Sequence, residues 1–150
     1  MLKARTVPFE TTLLVRDTCL CFHTRRAARA LARRFDEALR PLGLNNGQFS
    51  LMMSLNRPDP PTMGSVASLL AMDRTTLTAA LKPLERDGLI ELIVDPNDRR
   101  SRRMQLTLAG HRLLKRAFPV WRRTHAEIDA SLPNGDPDSL RRDLRALSDH

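Results

Sequence analysis

The stretch TMGSVASLLAMDRTTLTAALKPLERDG, Thr62 to Gly88, decides how this chain folds. Thr62 is a good N-cap for a helix from Met63 to Leu70, with Val66, Leu69 and Leu70 facing inward. Ala67 is small enough to let a neighbouring helix approach. After a tight Ala71-Met72 turn, Asp73 caps a second helix running from Arg74 to Asp87. Leu77, Leu81 and Leu84 form its apolar stripe, and Gly88 is its stop. Two short helices across a three- to four-residue turn have the helix-turn-helix form. Arg74, Thr75, Thr76, Thr78, Lys82 and Arg86 make the outward face of the second helix short, polar and basic. Threonine is a poor helix former, so its clustering at the helix start needs a reason. In a DNA major groove, threonines touch phosphates, base edges and thymine methyls. The plain alternative is a solvated amphipathic helix.

Downstream, the hydrophobic period changes to two. Leu89 to Val94 reads as a strand, as does Arg103 to Leu108 with Met104, Leu106 and Leu108 alternating. Between them Asp95 to Arg102 reads as a hairpin tip. Arg99, Arg100, Arg102 and Arg103 crowd into five positions and repel one another in water. A minor groove is where such a charge finds the most negative potential. Asp98 stands beside them, able to hold an arginine through a paired hydrogen bond.

Upstream, Asp17 to Leu42 carries Leu31, Phe35, Leu39 and Leu42 at helical spacing. Asn45 or Asn46 caps a second helix with Phe49, Met52, Met53 and Leu55, ending before the proline-rich loop Arg57 to Pro61. At the other end, Thr107 caps a helix to about Leu132 through Leu113, Leu114, Ala117, Trp121 and Ile128. Asp136, with Pro137 at the first position, opens a last helix striped by Leu140, Leu144 and Leu147. The order is four helices, a hairpin and two helices. The fold class is mainly α with a small β-hairpin wing. Pro83 and Pro119 fall inside predicted helices, where each costs on the order of 3 kcal/mol unless packing absorbs it.

The 150 residues suit one domain, able to bury a core without disulfides or metals. No apolar run approaches the roughly 20 residues of a membrane span. The polar start, Met1 to Glu10 with Pro8, does not read as a secretory signal, so the expected location is cytoplasmic. The formal charge is +8, and only three of the 25 basic side chains are lysine. Arginine's planar fork suits phosphates and guanine edges. No phosphate-binding glycine loop, Gly-x-Ser-x-Gly or His-Glu-x-x-His occurs, and His23, His111, His125 and His150 share no metal spacing. An enzyme, a metal site and a cofactor are therefore not expected. Few aromatic residues argue against a base-stacking RNA module. A non-specific architectural DNA-binding protein remains the rival, and would bind all sequences alike with a steep salt dependence.

The segments Met72 to Thr78, Leu84 to Ile90, Asp95 to Arg100 and Leu106 to Gly110, with Arg25 to Ala30, Leu42-Gly43-Leu44 and Gln48-Phe49 upstream, together resemble the MarR family of bacterial regulators. The resemblance covers about Asp17 to Asp149. It implies a homodimer that reads a palindromic operator in double-stranded DNA. Helices in about 11–44 and 108–149 would interlock two chains, and a winged helix-turn-helix in about 45–107 would read the DNA. By position, Arg74, Thr75, Thr76, Thr78 and Lys82 would face the major groove, flanked by Arg99 and Arg102 of the wing. Arg100 would enter the minor groove, oriented by Asp98. The family often carries proline at the place of Pro83. Ala79 stands where a longer polar residue is frequent. Ala71 replaces a frequent glycine, which a helical or bridge conformation would accommodate.

Two switches are open. A small aromatic or phenolic effector would bind between the dimer helices and the winged domain, lined by residues such as His23, Arg26, Phe49, Met53 and Trp121; ordinary packing is the alternative for each. A thiol switch would use Cys21, near the start of the first helix, whose dipole favours thiolate. Its Leu-Cys-Phe context is similar to the peroxide-sensing OhrR branch, but that branch uses tyrosines and this chain has none. Inert cysteines are the alternative.

Overall fold

A computed structural model describes residues 6–149. The first five residues of the polar start and His150 lie outside them. The elements are α1 (Phe9–Thr18), α2 (Leu20–Leu39), a 3-10 turn (Arg40–Leu42), α3 (Asn46–Leu55), α4 (Met63–Leu69), α5 (Arg74–Arg86), β1 (Ile90–Asp95), β2 (Asp98–Leu106), α6 (Leu108–Ala130) and α7 (Pro137–Ser148).

Local chemistry sets most boundaries. Asn45 Oδ1 accepts from Gln48 N at 2.8 Å while Gln48 Oε1 accepts from Asn45 N at 3.1 Å, a reciprocal capping box. Thr62, Asp73, Thr107 and Asp136 cap α4, α5, α6 and α7 as their sequences predict. The long first helix is corrected. The chain breaks at Cys19, which is extended (φ −71°, ψ 109°), so α1 and α2 are separate helices. α1 escapes a periodicity argument because it buries none of its residues. Leu31 is likewise exposed, whereas Phe35 and Leu39 enter the core.

That core lies where α3, α4 and α5 meet β1, β2 and the middle of α6. Leu39, Leu51, Met52, Val66, Leu77, Leu84, Ile90 and Met104 are its fully buried side chains. α5 runs through Pro83 with Leu81 and Leu84 buried on either side, and α6 runs through Pro119 after buried Ala117. Packing of these buried neighbours offsets the missing backbone donors. Leu69 is an exception to the predicted inward stripe, being 60% exposed.

The α4–α5 turn closes as a Schellman motif. Met72 N donates to Ala67 O at 2.9 Å and Ala71 N to Ser68 O at 3.2 Å. The motif puts the residue between in the left-handed region, and Ala71 sits there at φ +52°. The helical or bridge conformation expected of Ala71 is thus corrected, and its Cβ is strained at this turn. Gly88 closes α5 in the same way at φ +70°.

β1 and β2 pair antiparallel from Ile90–Leu106 to Val94–Arg102. The next pair is Asp95–Asp98, so Arg99, Arg100 and Ser101 have no partners on β1 and bulge from the ladder. β2 thus begins earlier than the predicted Arg103. Among the described residues, no helix is long and apolar enough to cross a membrane.

Candidate nucleic-acid interface

The N-terminal end of α5 is built by its cap. Asp73 Oδ1 accepts from Thr76 N at 2.7 Å, and Thr76 Oγ1 donates to Asp73 Oδ2 at 2.9 Å. These bonds, the backbone one foremost, hold the Asp73 carboxyl below its ordinary range. Thr78 Oγ1 donates to Arg74 O at 2.8 Å. Two of the three threonine hydroxyl protons are therefore already committed to the helix. Among the described residues the Thr75 hydroxyl makes no hydrogen bond. Arg74, Thr75, Thr76, Thr78, Ala79 and Lys82 are all exposed on this face.

The wing divides its arginines. Arg103 is not a tip residue. Its Nε lies 3.1 Å from Asp95 Oδ2, with both side chains largely buried, and its Nη1 donates to Pro60 O at 2.8 Å. Met104 N donates to Pro61 O at 3.1 Å, tying the same strand to the loop before α4. Asp95 is held below the ordinary carboxylate range, first by the backbone N–H of Asn97 and then by Arg103. Arg103 therefore fixes the base of the wing. Arg102 Nη1 donates to Arg99 O at 3.2 Å and Ser101 O at 3.3 Å, bracing the bulge. Asp98 accepts from Arg100 N at 3.0 Å and Ser101 Oγ at 2.9 Å. The expected carboxylate–guanidinium pairing with Arg100 is not made: Asp98 orients the backbone of the tip, and the Arg100 side chain stays exposed.

α5 and the wing share one cleft of about 550 Å³, to which Arg74, Thr78, Arg100 and Arg102 all contribute. Sequence residues 22 to 28 positions apart thus meet as one basic face. A sequence model described as "MarR family" matches residues 44–101, which span α3 to the bulge of the wing. The chain is 41% identical to Mycobacterium tuberculosis transcriptional regulator MosR, solved in complex with DNA, covering 87% of this chain and 93% of that one at a TM-score of 0.79.

The chain belongs to the MarR family.

It is a DNA-binding transcriptional regulator by that membership. It is also 26% identical to the transcriptional repressor CouR bound to a 23-mer DNA duplex, covering 89% of this chain and 95% of CouR at a TM-score of 0.80. CouR from Rhodococcus jostii RHA1 is also solved bound to p-coumaroyl-CoA, there 22% identical over 89% of this chain and 94% of CouR at a TM-score of 0.76. The match to the regulator BilQ of Clostridioides difficile, 29% identical, spans 57% of this chain and 60% of BilQ.

The MarR-family chain also holds an apolar cavity of about 410 Å³ between α3, the end of α4 and α6. Phe49, Met53 and Trp121, three of the five predicted effector contacts, line it together. Trp121 stacks near Phe49 (6.1 Å between ring centroids), Phe118 (5.9 Å) and His125 (4.8 Å). His23 and Arg26 are not part of it. They lie exposed on α2, His23 Nε2 3.2 Å from Asp17 O and Arg26 over the Phe22 ring. Sequence reading missed Ser50, Ser54, Leu69, Leu70 and Phe118 in the lining. Phe118 was findable, since it lies one helical turn before Trp121 on α6. Cys21 falls in the first turn of α2, exposed, beside Leu144 and Leu147 of α7. Cys19, not Cys21, forms the cap, its Sγ accepting from Phe22 N at 3.4 Å.

Proposed function

We propose that this MarR-family regulator is a homodimeric repressor that reads a palindromic operator and is released by a small aromatic effector. Helices in about 11–44 and 108–149 would join two chains, and 45–107 would meet the DNA. The reading face would comprise Arg74, Thr75, Thr76, Thr78 and Lys82 of α5 with Asp98, Arg99, Arg100 and Arg102 of the wing. The observation that carries this reading is the shared cleft, which brings a polar helix face and an arginine-tipped hairpin to one side of the molecule. A helix in the major groove and a hairpin in the adjacent minor groove need that geometry.

Dimerisation is supported by helices whose apolar stripes stay largely open among the described residues. α7 buries none of its residues, yet Leu140, Leu144 and Leu147 form a continuous stripe, 40–55% exposed. α1 likewise leaves Phe9, Leu14 and Val15 exposed. Short helices gain most of their stability from packing an apolar face, so a second copy covering these stripes accounts for them. Leu144→Glu is expected to convert a dimer to a monomer in sedimentation velocity and to lower affinity for a palindrome about 10²-fold or more, since two linked half-sites act together. Wild-type protein that sediments as a monomer and prefers no duplex from a selected genomic pool would end this reading.

The effector is supported by the cavity, with its stacked aromatics and a volume suited to a small ligand. CouR's p-coumaroyl-CoA makes phenolic acids and their thioesters the first probes. Trp121 is the single tryptophan, so it reports occupancy directly. Titration with such a compound should change its fluorescence saturably and release DNA over the same concentration range. A flat titration for the whole set would remove the cavity from the switch.

A further inference from the structure

The cleft between α5 and the wing has a use beyond separating two reading elements. This step rests on the DNA-facing reading of that surface. A helix in the major groove and a hairpin in the neighbouring minor groove are divided by one sugar–phosphate strand, which must pass through the gap between them. The gap is lined by Arg74, Thr78, Thr62 and Gly64 on one side and by Arg100 and Arg102 on the other. No carboxylate belongs to that lining, and among the described residues Arg74 makes no ion pair. Its guanidinium lies back over α4: a Cβ placed on Gly64 would meet Arg74 Nη2 at 3.4 Å. The guanidinium is thus held against α4, within the lining of the gap.

We propose that this cleft seats one backbone phosphate, held by Arg74 and Arg102, so that Arg74 positions the duplex and does not read its sequence. Phosphate contacts fix register without sequence information, whereas base contacts carry the preference. Thr75, Thr76 and Lys82, which lie outside the cleft lining, are then left to face the base edges.

The test compares wild type and Arg74→Gln on a selected palindrome and on a scrambled duplex of the same composition, from 50 to 200 mM KCl. Arg74→Gln is expected to weaken both duplexes by the same factor, about 10-fold, and to reduce the slope of log K against log salt by about 2 for the two half-sites. The preference at every base pair should be unchanged. A single uncharged methylphosphonate walked along the strand should hurt wild type at one position per half-site and leave Arg74→Gln indifferent there. Loss confined to the palindrome, with relaxed choice at one base pair, would make Arg74 a base reader and overturn the proposal. So would affinity and slope unchanged on both duplexes. Wild type that binds neither duplex would instead sink the DNA-facing reading beneath it.

Discussion

Gly110→Ala is expected to lower the melting temperature by about 10 °C or to leave the protein too unstable to accumulate. Gly110 is buried in the first turn of α6, and its N–H donates to the Thr107 cap at 3.0 Å. An added Cβ would fall inside the carbonyl oxygen of Leu89 and press on Leu106 Cδ2 at 3.3 Å. Neither obstacle can easily give way. Leu89 O accepts from Thr107 N at 3.0 Å, and Thr107 Oγ1 donates to Gly88 O at 2.6 Å. These bonds stitch the entrance of α6 to the turn between α5 and β1, so the backbone must move as a unit. Overpacking a rigid site costs about 3 kcal/mol, a large share of a typical domain's stability. Thermal unfolding followed by far-UV circular dichroism reads it; a midpoint within about 2 °C of wild type would show that the junction is softer than its hydrogen bonds suggest.

Arg100→Ala is expected to cost about 10²-fold in affinity for an operator duplex while leaving the proposed dimer intact. Arg100 bulges from the ladder with its side chain exposed, and the hydrogen bonds around it hold only its backbone. The substitution removes the cation without touching the support. An arginine in a narrow minor groove gains from its enhanced negative potential, and a dimer would lose that gain twice. Asp98→Ala should give a smaller loss, because it loosens the bonds to Arg100 N and Ser101 Oγ but keeps every positive charge. Fluorescence anisotropy with a labelled duplex, alongside sedimentation, checks both variants. Undiminished binding by Arg100→Ala would refute the wing assignment; a larger loss for Asp98→Ala would show that tip conformation outweighs charge.

The two substitutions mark where sequence reading is strong and weak. The helix-turn-helix was legible because its determinants are local. Thr62, Asp73 and Thr107 each cap a helix by bonding a backbone N–H three residues ahead, so spacing alone reveals them. Leu77, Leu81 and Leu84 share a face by helix geometry, and all three are buried. The arginines of the wing were legible as a cluster but not as individuals. Arg103 and Arg100 look alike in the sequence, yet one pairs with buried Asp95 and the other stands free. That division follows from a register shift of the hairpin, which depends on how two strands pair.

The cavity proposed for an effector shows the same limit. Phe49 and Trp121 were sensible candidates by type, but their meeting across 72 residues, and the absence of His23 and Arg26 from the group, depend on how α3 packs against α6. Leu69 belongs to a predicted inward stripe and instead lines that cavity half-open.

What the residues alone determined is the string of helices from α3 onward, their caps and stops, the hairpin and the family to which they belong. Each follows from hydrogen bonds and apolar spacing within a few positions of the chain. What only the packed molecule decided is which arginine is a strut and which is free, which side chains enclose a cavity, and the glycine that must stay bare at Leu89. Those outcomes rest on contacts between distant segments, and their energies exist only once the elements have come together.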